Sequence, residues 1–159
     1  MVAVQGLSGM EPISDGMVDV QLRCVDSSLE KPIDACSAKE IGLYGEDLAA
    51  SYLEARGYEL MHRNWRCVFG EADIVARDGD ELVLVEVKTR TCGHLDNPEL
   101  APEVAVNSRK RARYEKLALM CYAEQSELAS VRFDVIAVKL VGEQDVLLRH
   151  LFAAYSWDR

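Results

Sequence analysis

The sequence lacks an even, paired set of cysteines: Cys24, Cys36, Cys67, Cys92 and Cys121 are odd in number and scattered, with no Cys-x-x-Cys. That argues against a disulfide framework or a zinc ribbon and predicts reduced thiols in a cytoplasmic setting. His62, His94 and His150 form no His-x-x-x-His pair, and there is no Gly-x-Ser-x-Gly elbow or phosphate-cradling glycine loop. Zinc-hydrolase, serine-hydrolase and nucleotide-triphosphatase chemistries drop out. No apolar run is long enough to span a bilayer, and the opening Met-Val-Ala-Val-Gln-Gly-Leu-Ser-Gly has no basic leader, so neither membrane insertion nor secretion is expected. Cations are also scarce. With 18 Lys and Arg against 27 Asp and Glu, the formal net charge is −9, which repels phosphates at long range.

What is present suits one domain: 159 residues, 49% hydrophobic and 28% charged, are enough for a single core. Residues 1–38 mix Gly, Ser, Pro and acids without sustained periodicity, apart from a short segment at Met17 to Cys24, and read as a flexible acidic extension to a folded domain over residues 39–159. The spacing of Ile41, Tyr44, Leu48 and Tyr52 predicts a helix from about Ala38 to Arg56, stopped by Gly57. Strands follow at about 58–62, 65–69, 71–77 and 82–89, the first two readable as one bent strand. Residues 91–106 read as a loop, and a second helix is expected from about Ser108 to Gln125, capped by Asn107 with Tyr114, Leu117, Ala118 and Cys121 inward. Val131 to Val141 and Val146 to Ala154 complete an α/β fold with a mixed sheet flanked by helices.

Charge is concentrated where chemistry would need it. Gly70-Glu71-Ala72-Asp73-Ile74-Val75 and Leu82-Val83-Leu84-Val85-Glu86-Val87-Lys88 flank the turn Asp78-Gly79-Asp80. A two-residue turn over Gly79-Asp80 pairs Asp78 with Glu81, so Asp73 would face Glu86 and Glu71 would face Lys88 on one surface. A shift of two residues would set Glu71 against Glu86, whereas a three-residue loop would put Asp73 and Glu86 on opposite faces. Facing carboxylates are destabilising unless something positive lies between them, which suggests a site for a hard divalent cation. The bland alternative is a hairpin with solvated surface charges. In the sharper reading Asp73 and Glu86 are ligands for Mg²⁺ or Mn²⁺, the Val87 carbonyl is a further ligand, and Lys88 orients water or stabilises phosphate charge.

These residues resemble the PD-(D/E)xK signature of the restriction-endonuclease-like superfamily. The words Gly-Glu-Ala-Asp-Ile-Val, Val-Glu-Val-Lys-Thr-Arg and Arg-Phe-Asp-Val-Ile are more specifically similar to the YraN family, a bacterial group of predicted endonucleases related in fold to archaeal Holliday-junction resolvases. The resemblance covers roughly residues 39 to 141 and implies a restriction-endonuclease-like mixed sheet. It also implies that Glu46, on the flank of the first helix stripe, completes the metal shell, as a first-helix glutamate does in related resolvases. Ala72 departs from the pattern, standing where the superfamily name has proline; position 72 is expected to point away from the site face. Lys110 and Tyr114, one helical turn apart, resemble a second-helix polar motif of the superfamily, but at this spacing Tyr114 reads as core.

The expected partner is DNA. Arg109, Lys110, Arg111, Arg113 and Lys116 are relieved only by Glu115, and Arg90 follows the Glu-x-Lys word, so Arg90, Arg109, Lys110 and Arg113 are candidate phosphate contacts. The resulting expectation is a metal-dependent endonuclease-like protein that hydrolyses DNA phosphodiesters, with branched or recombination intermediates as one substrate class. Symmetric cutting of both strands would favour a homodimer. The rival is a non-catalytic nucleic-acid-binding or adaptor module that retains the fold.

Overall fold

Leu82, Val83, Leu84 and Val85 run without a polar break, and side chains alternate across a strand, so this segment needs cover on both faces. A computed structural model, which describes residues 4–5, 16–24, 29–92, 108–125 and 127–155, supplies that cover with one helix on each face of a mixed sheet. The strands are β1 (Val4–Gln5), β2 (Met17–Cys24), β3 (Glu59–Cys67), β4 (Gly70–Asp78), β5 (Glu81–Cys92), β6 (Ser130–Val141) and β7 (Asp145–Tyr155). They lie in the order β1-β2-β7-β6-β5-β4-β3, and only β5 and β6 are parallel. That parallel step requires a crossover, which α2 (Ser108–Glu124) provides. The architecture is a restriction-endonuclease-like α/β fold.

Helix α1 (Ala38–Ala55) begins at a capping box: Ser37 Oγ accepts from the Glu40 amide at 3.3 Å, and Glu40 Oε2 accepts from the Ser37 amide at 2.7 Å. It ends where Gly57 adopts φ 88° and the Tyr58 amide turns back to the Leu53 carbonyl. Its stripe packs with Ile74, Ala76, Val83, Val85 and Ile136 into one core. Tyr114, Leu117, Ala118 and Cys121 of α2 cover Val75, Leu82, Leu84, Phe133 and Val135 on the opposite face.

The expected extension over residues 1–38 needs correction. Met17–Cys24 is a full strand antiparallel to β7, with Val18, Val20, Leu22 and Cys24 buried in the α1-side core. Strict alternation in so short a segment is a weak signal alone; the β7 edge gives it a partner, so the sheet begins well before residue 38. The two expected strands at 58–69 are one strand over Glu59–Cys67, irregular in its ladder between Leu60 and His62 and with a left-handed Asn64 at φ 51°. Asn107 and residues 93–106 lie outside the described residues. All five cysteines are free thiols, and among the described residues no helix is long and apolar enough to cross a membrane.

Candidate active site

The β4–β5 hairpin turns over Gly79-Asp80, with Asp78 opposite Glu81 and the ladder continuing to Ile74 opposite Val85. There the pairing stops. The Val87 amide donates to Asp73 Oδ2 at 2.7 Å, a side-chain acceptor in place of a ladder carbonyl. Glu71, expected opposite Lys88, instead pairs with Arg66 of β3, with Arg66 Nε 2.9 Å from Glu71 Oε2.

Alternation also breaks at Asp73. Ala72 packs in the α2-side core, whereas Ile74, two residues on, packs in the α1-side core. Across the β3–β4 ladder the same happens around Asn64: Arg63, opposite Ile74, reaches Asp47 of α1 at 2.7 Å, while Trp65, opposite Ala72, packs against the α2-side core. The paired kink has two consequences. Asp73 feels acids from both sides of the sheet, and Ala72 lies on the same side as Glu86 and Tyr114, not away from the site as alternation alone suggested.

Glu86 is 8% exposed. Its Oε1 lies 2.6 Å from Lys88 Nζ and 3.6 Å from Lys110 Nζ, and its Oε2 accepts the Tyr114 hydroxyl at 2.6 Å. Burial alone would raise the Glu86 carboxyl, but these hydrogen bonds and the two ammonium charges outweigh it and hold the group below its usual range. Burial raises the Asp73 carboxyl; the Val87 amide opposes that and the Glu86 charge adds to it. Burial also raises Glu46, with the Asp73 charge adding to it and the Asn64 side chain, which donates to Glu46 Oε2 at 3.3 Å, opposing it. Near the fork where β4 leaves β5, Asp73 thus feels the charge of Glu86 and Glu46 that of Asp73, with two of these carboxyls raised and one lowered.

Glu46 gets there through close packing of α1 on β5. A Cβ added to Gly45 would overlap Thr89, lying 2.7 Å from both its Cβ and Cγ2, so only glycine lets the helix approach this closely. Val87 enters the site through its amide and packs its side chain against the α1-side core. Lys110 reaches Glu86 as well as solvent, and Arg109 and Arg113 are exposed on the same helix. Arg90 is separate, lining a cleft with Asp34, Cys36 and Ile41 beside the start of α1. The reading as core missed Tyr114: its ring meets Phe133 edge-on at 5.5 Å, as a core residue would, while its hydroxyl serves Glu86. The Lys110–Tyr114 spacing was the available signal. Asn64, read from the sequence with Arg63, Trp65 and Arg66 as able to touch phosphates, carried no signal as the partner of Glu46.

A second polar group lies buried on the α1 side. Asp134, 1% exposed, accepts from Arg132 Nε at 2.9 Å and lies 2.8 Å from His150 Nε2, while His150 Nδ1 lies 3.1 Å from the Tyr52 hydroxyl. The word Arg-Phe-Asp-Val-Ile is thereby explained by alternation: Phe133 and Val135 face α2, and Asp134 anchors this network beneath α1.

The chain is thus an α/β protein of the restriction-endonuclease-like class, with Asp73 accepting the Val87 amide where two central strands part. Residues 45–138 match the model of "Uncharacterised protein family UPF0102", and the chain belongs to that family, the YraN family. A UPF0102 protein of Geobacter metallireducens is 49% identical over 106 residues, covering 66% of this chain and 84% of the relative. One from Beutenbergia cavernae is 50% identical over 115 residues, with coverages of 70% and 92%. A third, from Geobacter sulfurreducens, is 43% identical over 120 residues, with coverages of 74% and 90%. The matched span holds Glu46, Asp73, Glu86, Lys88, Tyr114 and Asp134, and excludes β2 and β7.

Proposed function

We propose that this chain is a metal-dependent endonuclease that hydrolyses phosphodiesters in DNA. The supporting observation is the fork itself: Asp73 accepts the Val87 amide and feels the charge of Glu86, and Lys88 lies 2.6 Å from Glu86. All the donors are oxygens, which suits Mg²⁺ or Mn²⁺. Among the described residues no three His, Cys, Asp or Glu side chains are grouped so as to hold a metal ion, and the reading therefore rests on the mode of binding in which one or two carboxylates act with waters and substrate phosphate. Asp73 and Glu86 would hold the cation, with the Val87 carbonyl and Glu46 as further or water-mediated ligands. The cation would supply Lewis acidity and an acidified water.

The chain's own groups do the rest. Lys88 exchanges its partner Glu86 for the attacking water or the phosphate oxygen, where charge grows in the transition state. Tyr114 and Lys110 keep Glu86 ionised and aimed. Arg109 and Arg113 offset the net charge of −9 locally and would track the phosphate backbone. Five free thiols fit a cytoplasmic setting, and cutting both strands symmetrically would favour a twofold pair of chains.

The rival reading, a nucleic-acid-binding adaptor without catalysis, draws on Glu86, whose two oxygens already have three partners in a closed network. The purified chain, incubated with Mg²⁺, Mn²⁺ or chelator and a panel of linear, flapped and four-way DNA, separates the two. Metal-dependent cleavage is expected, and Lys88→Ala should lower it at least about 100-fold with DNA affinity nearly unchanged. Binding without cleavage under either metal would select the adaptor.

A further inference from the structure

The β3–β4 hairpin closes over Val68 and Phe69, which are 87% and 40% exposed. Val68 is the most exposed of the large apolar residues described, and with Phe69 it makes a small apolar tip on an acidic chain. The surroundings of this tip are basic. Lys116 Nζ lies 5.4 Å from the centre of the Phe69 ring, and the stem of Arg113 packs so closely on Gly70 that a Cβ there would lie 3.1 Å from its Cδ. The Arg113 guanidinium lies 5.4 Å from the centre of the Tyr114 ring, and the Tyr114 hydroxyl holds Glu86. A continuous run of contacts therefore fixes the tip relative to the candidate active site. Glu71 and Ala72 separate Gly70 from Asp73, three strand steps or about 10 Å, roughly three stacked base steps.

An apolar tip rimmed by cations has the chemistry of a nucleic-acid wedge: the cations take phosphates while the apolar side chains enter the base stack. Forcing apart an intact stack is costly, and entering one already interrupted is cheap. We infer that Val68 and Phe69 form a binding element that inserts where DNA stacking is interrupted, at a fork, flap or branch point, and so place the scissile phosphate about three nucleotides away. This deepens the proposed function and rests on its nucleic-acid reading. A second copy of this chain is the poorer occupant, because two residues supply little of the roughly 1,000 Å² that a stable interface needs.

The test uses the full chain in chelator, with 2-aminopurine at the branch nucleotide of a forked duplex and a fully paired duplex as control. Wild type should raise the 2-aminopurine emission and prefer the fork by about tenfold or more in Kd. Phe69→Ser and, separately, the more exposed Val68→Ser should each erode that preference and the emission rise while leaving duplex binding and circular dichroism unchanged. Equal fork preference in wild type and both variants would overturn the inference and leave the nuclease reading standing. Wedge-dependent fork binding with no cleavage under Mg²⁺ or Mn²⁺ would support the inference and reject the nuclease reading. The inference also fails if wild type binds neither DNA, or if the variants change only sedimentation, which would assign the tip to self-association.

Discussion

Asp73 Oδ2 accepts the Val87 amide at 2.7 Å, so the carboxylate does work that a strand carbonyl does elsewhere in the ladder. Its structural and chemical roles can therefore be separated. Asp73→Asn keeps an acceptor for the amide and removes a charge that burial disfavours, so stability should be unchanged or slightly higher at neutral pH. Asp73→Ala leaves the amide without its partner and should cost about 1–3 kcal/mol in urea unfolding. Both should abolish Mg²⁺ or Mn²⁺ binding by calorimetry, as should Glu86→Ala. Equal metal affinity in wild type and all three variants would show that these acids are not ligands.

Tyr114→Phe keeps the edge-on packing against Phe133 and deletes the donor to Glu86 Oε2. Hydrogen bonds to charged groups contribute about 1.5–3 kcal/mol, and a loss in that range is expected at pH 7. The folded-state pKa of Glu86 is depressed, so its contribution is present above the unfolded value and vanishes as pH falls through the folded one; the penalty of the variant should disappear in acid. In NMR titration, the Glu86 carboxyl should ionise at a higher pH in the variant. An unmoved titration would mean that Lys88 and Lys110 alone set the ionisation of Glu86.

The buried network predicts acid lability of the whole fold. Burial lowers the pKa of His150 despite the pull of Asp134, so below pH about 6.5 the unfolded chain takes up a proton that the folded one refuses, and stability falls. Burial would raise Asp134, but its hydrogen bonds to His150 and Arg132 outweigh that and lower it, so its own share is lost at still lower pH. Urea midpoints should therefore drop steadily from pH 7 to 5. Asp134→Ala removes the carboxylate beside His150 and one partner of Arg132, which keeps Glu81, Asp78 and Tyr58, and should cost about 1–3 kcal/mol. A midpoint that rises on acidification would mean that His150 is charged and paired in the folded state.

Much of this protein could be read locally. Periodicities of 3.6 and 2 located α1, α2 and the strands from β3 onward, because each repeats its apolar residues over several turns or pleats. The two-residue turn set the β4–β5 register, since one bend with glycine fixes every pair that follows until the ladder ends. The acids Asp73 and Glu86 were visible as residue types at a spacing that such a hairpin brings together. Three features were not. The strand at Met17–Cys24 needed the β7 edge, about 130 residues away in the chain, to be worth forming. The kink at Asn64 and Asp73 reversed which side Ala72 faces, and alternation is blind to a single left-handed residue. Tyr114 carries an apolar ring and one hydroxyl, so its spacing reports only the ring.

The sequence by itself determined the element order from α1 onward, the hairpin that carries the acids and the family to which the chain belongs, because these depend on neighbours a few residues apart and on words read in order. Only the tertiary structure decided which groups meet those acids: Tyr114 and Lys110 from a crossover helix, Glu46 from across Gly45 and Thr89, and Asn64 from the adjoining strand. Those contacts join residues far apart in the chain, and their geometry comes from packing two helices on opposite faces of one twisted sheet.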